Sequence, residues 1–159
     1  MAKYYISLGA NLGDCACTIG QAIDRLRHTD GITVTAAASL YNTPPWGKTD
    51  QPPFVNTAVC VETDKTGPDL LACCQAIESS LGRVRYETWG PRVIDLDIVY
   101  SPDGEWHTPN LDIPHPYLTE RAFVLVPLQE IAPDLVIRGK AVAQWIAALP
   151  DADTIQKRR

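Results

Sequence analysis

Asp95 and Asp97 are separated by one residue in the run Val93-Ile-Asp-Leu-Asp-Ile-Val99. In an extended strand, residues two apart project from the same face, so the carboxylates stand together, about 7 Å apart along the backbone. Ile94, Leu96 and Ile98 fall on the opposite face, where they would anchor the strand in a core. Neighbouring carboxylates repel one another, and cations placed between them relieve the repulsion. Oxygen-only ligands suit Mg²⁺, which takes a few carboxylates and fills its other positions with water and phosphate. The alternative is a pair of solvent-facing aspartates on an edge strand, against the usual depletion of Asp in strands.

Arg83, Arg85 and Arg92 fall within ten residues, offset only by Glu87, on a chain of net charge −5. A local basic cluster on an acidic protein is either a solvated loop or a site for an anion. Moving a phosphoryl group requires cations aimed at developing negative charge, and the arginine fork matches phosphate oxygens. Arg92 lies three residues before Asp95, which juxtaposes an arginine with the candidate metal site; His115 and Arg121 could supplement it. The sequence holds no GxxxxGK(S/T) loop, and Gly9-Ala-Asn-Leu-Gly13 is not a GxGxxG turn, so any ATP would be bound without a P-loop.

A third constellation suits a flat heteroaromatic ligand. Phe54 and Asn56 share one strand face, placing an aromatic plane beside an amide that both donates and accepts hydrogen bonds. Trp46 lies on the loop just before, and Phe123 could stack from the other side. Taken singly, each aromatic fits a core as readily as a ligand platform, whereas an amide inside an apolar strand needs partners.

The positioning elements follow from periodicity. Residues 4–8 alternate and predict a first strand ending at Gly9, with the glycines of 9–13 serving a tight strand-to-helix turn. Ile19, Ala22, Ile23 and Leu26 recur at helical spacing, with Asp14 as N-cap and Gly31 past the end. Residues 32–41 form a second strand, 43–53 a proline-rich loop, and 54–63 a third strand. Pro68 occupies the first turn of a second helix, which Gly82 ends. The basic loop 83–92 leads into a fourth strand over 93–99; a turn at 102–104, a helix begun by Thr119 and an amphipathic helix through Val142, Trp145, Ile146 and Leu149 follow. The order β-α-β-β-α-β, with helical additions at the C-terminus, reads as a ferredoxin-like α+β sandwich. Helices would cover one sheet face, leaving the other free for a site over which loops 43–53 and 83–92 close.

At 159 residues and 45% hydrophobic composition the chain has the size of one domain spanning 1–159. Without a leader-like or membrane-spanning apolar run, the expectation is a cytoplasmic protein that contacts neither membrane nor nucleic acid. Five cysteines lack the paired spacing of a zinc site and are expected to be small apolar residues without disulfides.

Taken together, several segments resemble 6-hydroxymethyl-7,8-dihydropterin pyrophosphokinase of folate biosynthesis. They are Leu8–Asp14, Tyr41–Gly47, Gln51–Asn56, Arg83–Arg85, Trp89–Ile98, Ile113–His115 and Arg121–Leu128, in the family's order, with Gly90–Asp97 the most specific. The resemblance implies that Asp95 and Asp97 hold two Mg²⁺ ions bridging the ATP phosphates and the pterin hydroxyl. It implies that Arg83 and Arg92 stabilise the moving pyrophosphoryl group, while Arg85, His115, Tyr117 and Arg121 grip the triphosphate. Gln75, Glu78, Ile98 and Leu111 would surround the adenosine. Phe54 and Phe123 would sandwich the pterin, with Thr43, Pro44, Trp46, Asn56 and Trp89 completing its site. The substrate hydroxyl would attack the β-phosphorus and AMP would leave, in a protein expected to be a monomer.

Some positions depart from the family pattern. Thr88 stands where a basic residue is usual, Phe54 replaces a tyrosine, Pro116 separates His115 from Tyr117, and Asn110 and Asp112 are less basic than in some members. None touches the paired aspartates or Arg92, so altered affinity is expected before lost function. The residues by themselves reach only as far as Mg²⁺, phosphate and a flat ring. On that basis a nucleotide-sensing module and a transferase with another acceptor remain alternatives.

Overall fold

A computed structural model describes residues 1–44, 52–82 and 93–158. Its central sheet contains β1 (Ala2–Ala10), β2 (Ile32–Ala37), β3 (Tyr41–Thr43), β4 (Phe54–Thr63) and β5 (Asp95–Tyr100). β4 lies between β3 and β1, β1 between β4 and β5, and β2 pairs with the far part of β4; these pairings are antiparallel. Helices α1 (Cys15–Arg27) and α2 (Gly67–Ser80) follow β1 and β4. Two small hairpins, β6–β7 (Trp106–Thr108, Leu111–Ile113) and β8–β9 (Val136–Ile137, Lys140–Ala141), bracket α3 (Ala122–Ile131). α4 (Val142–Ala147) precedes β10 (Gln156–Lys157), which adds to the outer edge of β3.

Local chemistry sets the helix ends. The Asp14 carboxylate accepts the Cys17 N–H at 3.1 Å and caps α1. Thr66 caps α2 through the Asp69 N–H, with Pro68 in the first turn, where no backbone donor is required. Gly82 follows α2 at φ 87°, a left-handed conformation that favours glycine.

Two sheet faces carry two cores. Tyr4, Ile6, Leu8, Val59, Val61, Leu96 and Ile98 pack with Ile19, Leu26, Leu70 and Ile77 of α1 and α2. On the opposite face Tyr5, Cys60 and Val99 pack with Val124, Leu125 and Leu128 of α3 and with Val142 of α4. The second face is therefore half covered, not free. The run Ala122-Phe-Val-Leu-Val-Pro-Leu128 is apolar on nearly every side and must be buried against something. That helix starts after Arg121, because Thr119 lies in a separate 3₁₀ turn, Leu118–Glu120.

The chain departs from its expected elements at two further places. The strand expected over 32–41 is two strands, broken at 38–40, where the Ser39 N–H leaves the sheet and donates to the Glu130 carboxylate at 3.0 Å. Gly9 sits inside β1, paired on both sides, and the turn glycine is Gly13 at φ 69°.

All five cysteines are free thiols. Burial pushes the Cys15 and Cys74 thiols above their ordinary range, which suppresses the reactive thiolate. Replacing Cys15, Cys17 and Cys73 by serine or alanine is expected to preserve activity. An assay with and without reducing agent checks this, and a metal-reversible loss would contradict it.

Candidate active site

The register of four strands builds the site. Tyr41 of β3 lies opposite Asn56 of β4, Asn56 opposite Gly9 of β1, and Gly9 opposite Asp95 of β5. Directly opposed residues share a sheet face, so these four form one row on the face that α3 half covers. Ser7 and Asp97 pair one pleat further along on the same face. Asp95 and Asp97 are both half-buried, while Ile94, Leu96 and Ile98 behind them are buried. The alternation in the sequence thus positions both carboxylates as expected.

Asn56 is buried, and its amide has a defined orientation. The Thr43 hydroxyl donates to Asn56 Oδ1 at 2.6 Å, which leaves Nδ2 on the side facing Gly9. Phe54 shares that strand face and is half-buried, while Pro44, next to Thr43, is exposed. At the far end of the row the Tyr41 hydroxyl donates to Glu130 Oε1 at 2.6 Å, and Lys157 of β10 lies 3.8 Å from the same oxygen. α3 and the C-terminal strand therefore brace the edge that carries Thr43. Asn11 adds a second brace, its amide donating to the Pro52 carbonyl at 3.0 Å just before Phe54.

Beside the carboxylates, a cleft of about 330 Å³ is lined by Asp97, Ile98, Leu111, His115 and Tyr117. Four of the residues expected around the nucleotide thus meet next to one of the paired aspartates. Sequence reasoning missed Leu71 of α2 and Pro109, which also line the cleft. Leu71 is an apolar residue beside Leu70 on α2, and no local signal distinguishes a core position from a cleft wall. Gln75 is exposed on α2 and is not among the lining residues. Glu78 is buried, and its carboxylate accepts the Leu96 N–H at 2.8 Å. It thereby ties α2 to the stretch of β5 between the two aspartates.

Arg121 is buried, with its guanidinium 5.3 Å from the Tyr117 ring centre and 5.7 Å from that of Phe123. Such cation–ring packing fixes the planar group and both rings together. Tyr117 and Phe123, expected in different subsites, are thus joined through one arginine. Trp46, Arg83, Arg85, Trp89 and Arg92 lie outside the described residues, as do most of loop 43–53 and loop 83–92.

Burial, helped by the nearby Arg121 charge, pulls His115 down to about 4, so the imidazole is neutral at pH 7. Its Nδ1 accepts the Tyr117 N–H at 3.1 Å, which leaves Nε2 as the proton-bearing donor. For Glu130, burial acts to raise the pKa, but hydrogen bonds from Tyr41 and Ser39 outweigh it and lower the value. Both shifts have one sign in stability. Between about 4 and 6.5 the unfolded chain binds a proton at His115 that the folded chain refuses, so stability falls as pH drops through that window. The Glu130 contribution is present above its unfolded value near 4.5 and is lost as pH falls through its lower folded value. Melting temperatures across pH 7.5 to about 3 should therefore decline from about pH 6.5 onward. His115→Gln should flatten the upper part of the decline and Glu130→Gln the lower part.

The described fold matches that of the solved HPPK-DHPS chain crystallised in complex with substrates, with TM-score 0.70 over 91% of this chain at 13% identity. The chain spans 44% of that solved chain. A wild-type HPPK-DHPS from Plasmodium falciparum gives TM-score 0.69, covering 91% of this chain and 43% of the other, at 15% identity. These likenesses define a class by its fold alone, a mixed α/β fold built on an antiparallel sheet.

The sequence carries the assignment further. The model of the 7,8-dihydro-6-hydroxymethylpterin-pyrophosphokinase family matches residues 5–133, and the chain belongs to that family. A 2-amino-4-hydroxy-6-hydroxymethyldihydropteridine pyrophosphokinase from Methylorubrum extorquens is 48% identical over 149 residues, 94% of each chain. The enzyme of that name from Pseudomonas aeruginosa is 39% identical over 149 residues, covering 93% of this chain and 92% of its own.

Proposed function

We infer that the chain transfers a pyrophosphoryl group from ATP to the hydroxyl of 6-hydroxymethyl-7,8-dihydropterin, releasing AMP, in folate biosynthesis. Family membership supports the reaction. The observation that carries it to this geometry is the row Asn56–Gly9–Asp95, which sets a ring-reading amide and an acidic pair on one face, with a cleft beside them. Two carboxylates at neighbouring same-face positions fit Mg²⁺, which needs few protein oxygens when phosphate and water complete its shell. Asp95 and Asp97 would hold the metal, two ions in this reading, and the bound metal would neutralise phosphate charge and favour departure of AMP.

The other residues bind and orient. The Asn56 amide, oriented by Thr43, presents Nδ2 to an acceptor on the pterin ring edge, while Phe54 and Phe123 stack on its faces. Neutral His115 donates from Nε2 to a phosphate oxygen, and Arg121 adds charge beside it. Arg85 and Tyr117 would assist at the triphosphate, Gln75, Ile98 and Leu111 would contact the adenosine, and Arg83 and Arg92 would stabilise the transferring group. Glu78 acts by fixing β5 through the Leu96 N–H. Pro44, Trp46 and Trp89 complete the pterin site.

The architecture that carries these groups is read as a ferredoxin-like sandwich in one domain spanning 1–159. The antiparallel order β3-β4-β1-β5, with α1 and α2 on one face, supports it. The protein is read as a cytoplasmic monomer acting on small molecules only, with neither membrane nor nucleic acid as partner. No helix among the described residues is long and apolar enough to cross a membrane.

Incubating protein, ATP and Mg²⁺ with hydroxymethyl dihydropterin tests the reading. AMP should appear in equal amount to a pterin diphosphate, and omission of either Mg²⁺ or pterin should stop it. ADP in place of AMP would indicate transfer of one phosphoryl group and overturn the proposal.

A further inference from the structure

We infer that Gly9 determines pterin affinity by leaving open the seat in which the Asn56 amide lies. Gly9 is inside β1, hydrogen-bonded into the sheet on both sides, with Asn56 opposite on β4 and Asp95 opposite on β5. Its φ is not positive, so its backbone does not require glycine. Glycine inside a strand is normally unfavourable, and alanine at such a position should be neutral or stabilising if backbone preference alone decided.

The neighbour decides instead. A Cβ built on Gly9 would stand 2.5 Å from Asn56 Nδ2 and 3.7 Å from Asn56 Cγ. No real Cβ tolerates the first distance, so the amide would have to move. It has little freedom to do so, because Asn56 is buried and its Oδ1 holds the Thr43 hydroxyl at 2.6 Å. A side chain at position 9 would thus break the Thr43 contact or turn Nδ2 away from the ligand.

The three nearest atoms to that Cβ belong to Asn56 and Val55. The damage should therefore fall on pterin recognition, with the acidic pair and the nucleotide cleft spared. This inference rests on the reading of Asn56 as the group that addresses the pterin edge.

The test uses wild type, Gly9→Ala, Asn56→Ala and the double variant. Affinity for hydroxymethyl dihydropterin is measured calorimetrically with a non-hydrolysable ATP analogue present, and affinity for the analogue alone serves as control. Gly9→Ala should weaken pterin binding about tenfold or more, the loss of a well-made hydrogen bond, and leave analogue binding within about twofold. In the Asn56→Ala background the same substitution should cost little, because the atoms it displaces are gone.

Additive losses, or equal losses for both ligands, would overturn the inference while leaving the proposed function standing. Unchanged pterin affinity in Asn56→Ala would remove the role of Asn56 and the Gly9 inference with it. Should Gly9→Ala fail to fold, the double variant decides. Recovery of folding and analogue binding there supports the clash, and failure in both backgrounds contradicts it.

Discussion

Asp97→Asn is expected to lower turnover by roughly a thousandfold or more while the protein stays folded, and Asp95→Asn should behave alike. Removing preorganised charge at a phosphoryl-transfer centre typically costs two to three orders of magnitude, as a rough guide. The carboxylates here sit two apart on a strand whose other face, Ile94, Leu96 and Ile98, is buried. The substitution is isosteric and leaves that apolar anchoring untouched. The melting temperature should therefore change little. Rates measured at saturating Mg²⁺ and ATP check the prediction. Near wild-type turnover in either variant would contradict the metal assignment.

Phe123→Ala is expected to weaken pterin binding by tenfold or more, on the order of 1.5 kcal/mol from lost stacking and burial. ATP binding should suffer less. Phe123 is half-buried against the α3 core, and Arg121 packs between its ring and that of Tyr117. Truncation should therefore loosen Arg121 and carry a smaller penalty to the nucleotide. Calorimetry with each ligand separately distinguishes the two effects, and equal losses would assign Phe123 a general packing role.

What the sequence disclosed was local. Strand β4 is legible over its whole length, 54–63, because β-branched residues recur at every second position from Val55 to Thr63, and the cap at Asp14 because its chemistry is contained within four residues. The face shared by Asp95 and Asp97 is likewise a property of adjacent positions. What stayed hidden depends on register between distant segments. Gly9 resembles a turn glycine until β1 is seen paired between Asn56 and Asp95. Ser39 looks like one more strand residue until Glu130, 91 positions on, takes its N–H. The cover that α3 gives the second face is a tertiary choice that helical periodicity alone cannot place. Glu78 combined both cases, its position on α2 being predictable and its bond to Leu96 not.

In the proposed reading the pterin-binding Asn56 and the metal-binding Asp95 belong to one row of one sheet face, with Asp97 one pleat further along. Asn56 and Asp95 are two strand spacings apart, about 10 Å between backbones. Paramagnetic relaxation of pterin protons, with Mn²⁺ replacing Mg²⁺ and a non-hydrolysable ATP analogue bound, reads that proximity directly. Strong enhancement that disappears in Asp95→Asn and Asp97→Asn is the predicted result. Pterin bound tightly yet unaffected by the metal would place the two subsites on different faces and contradict the account.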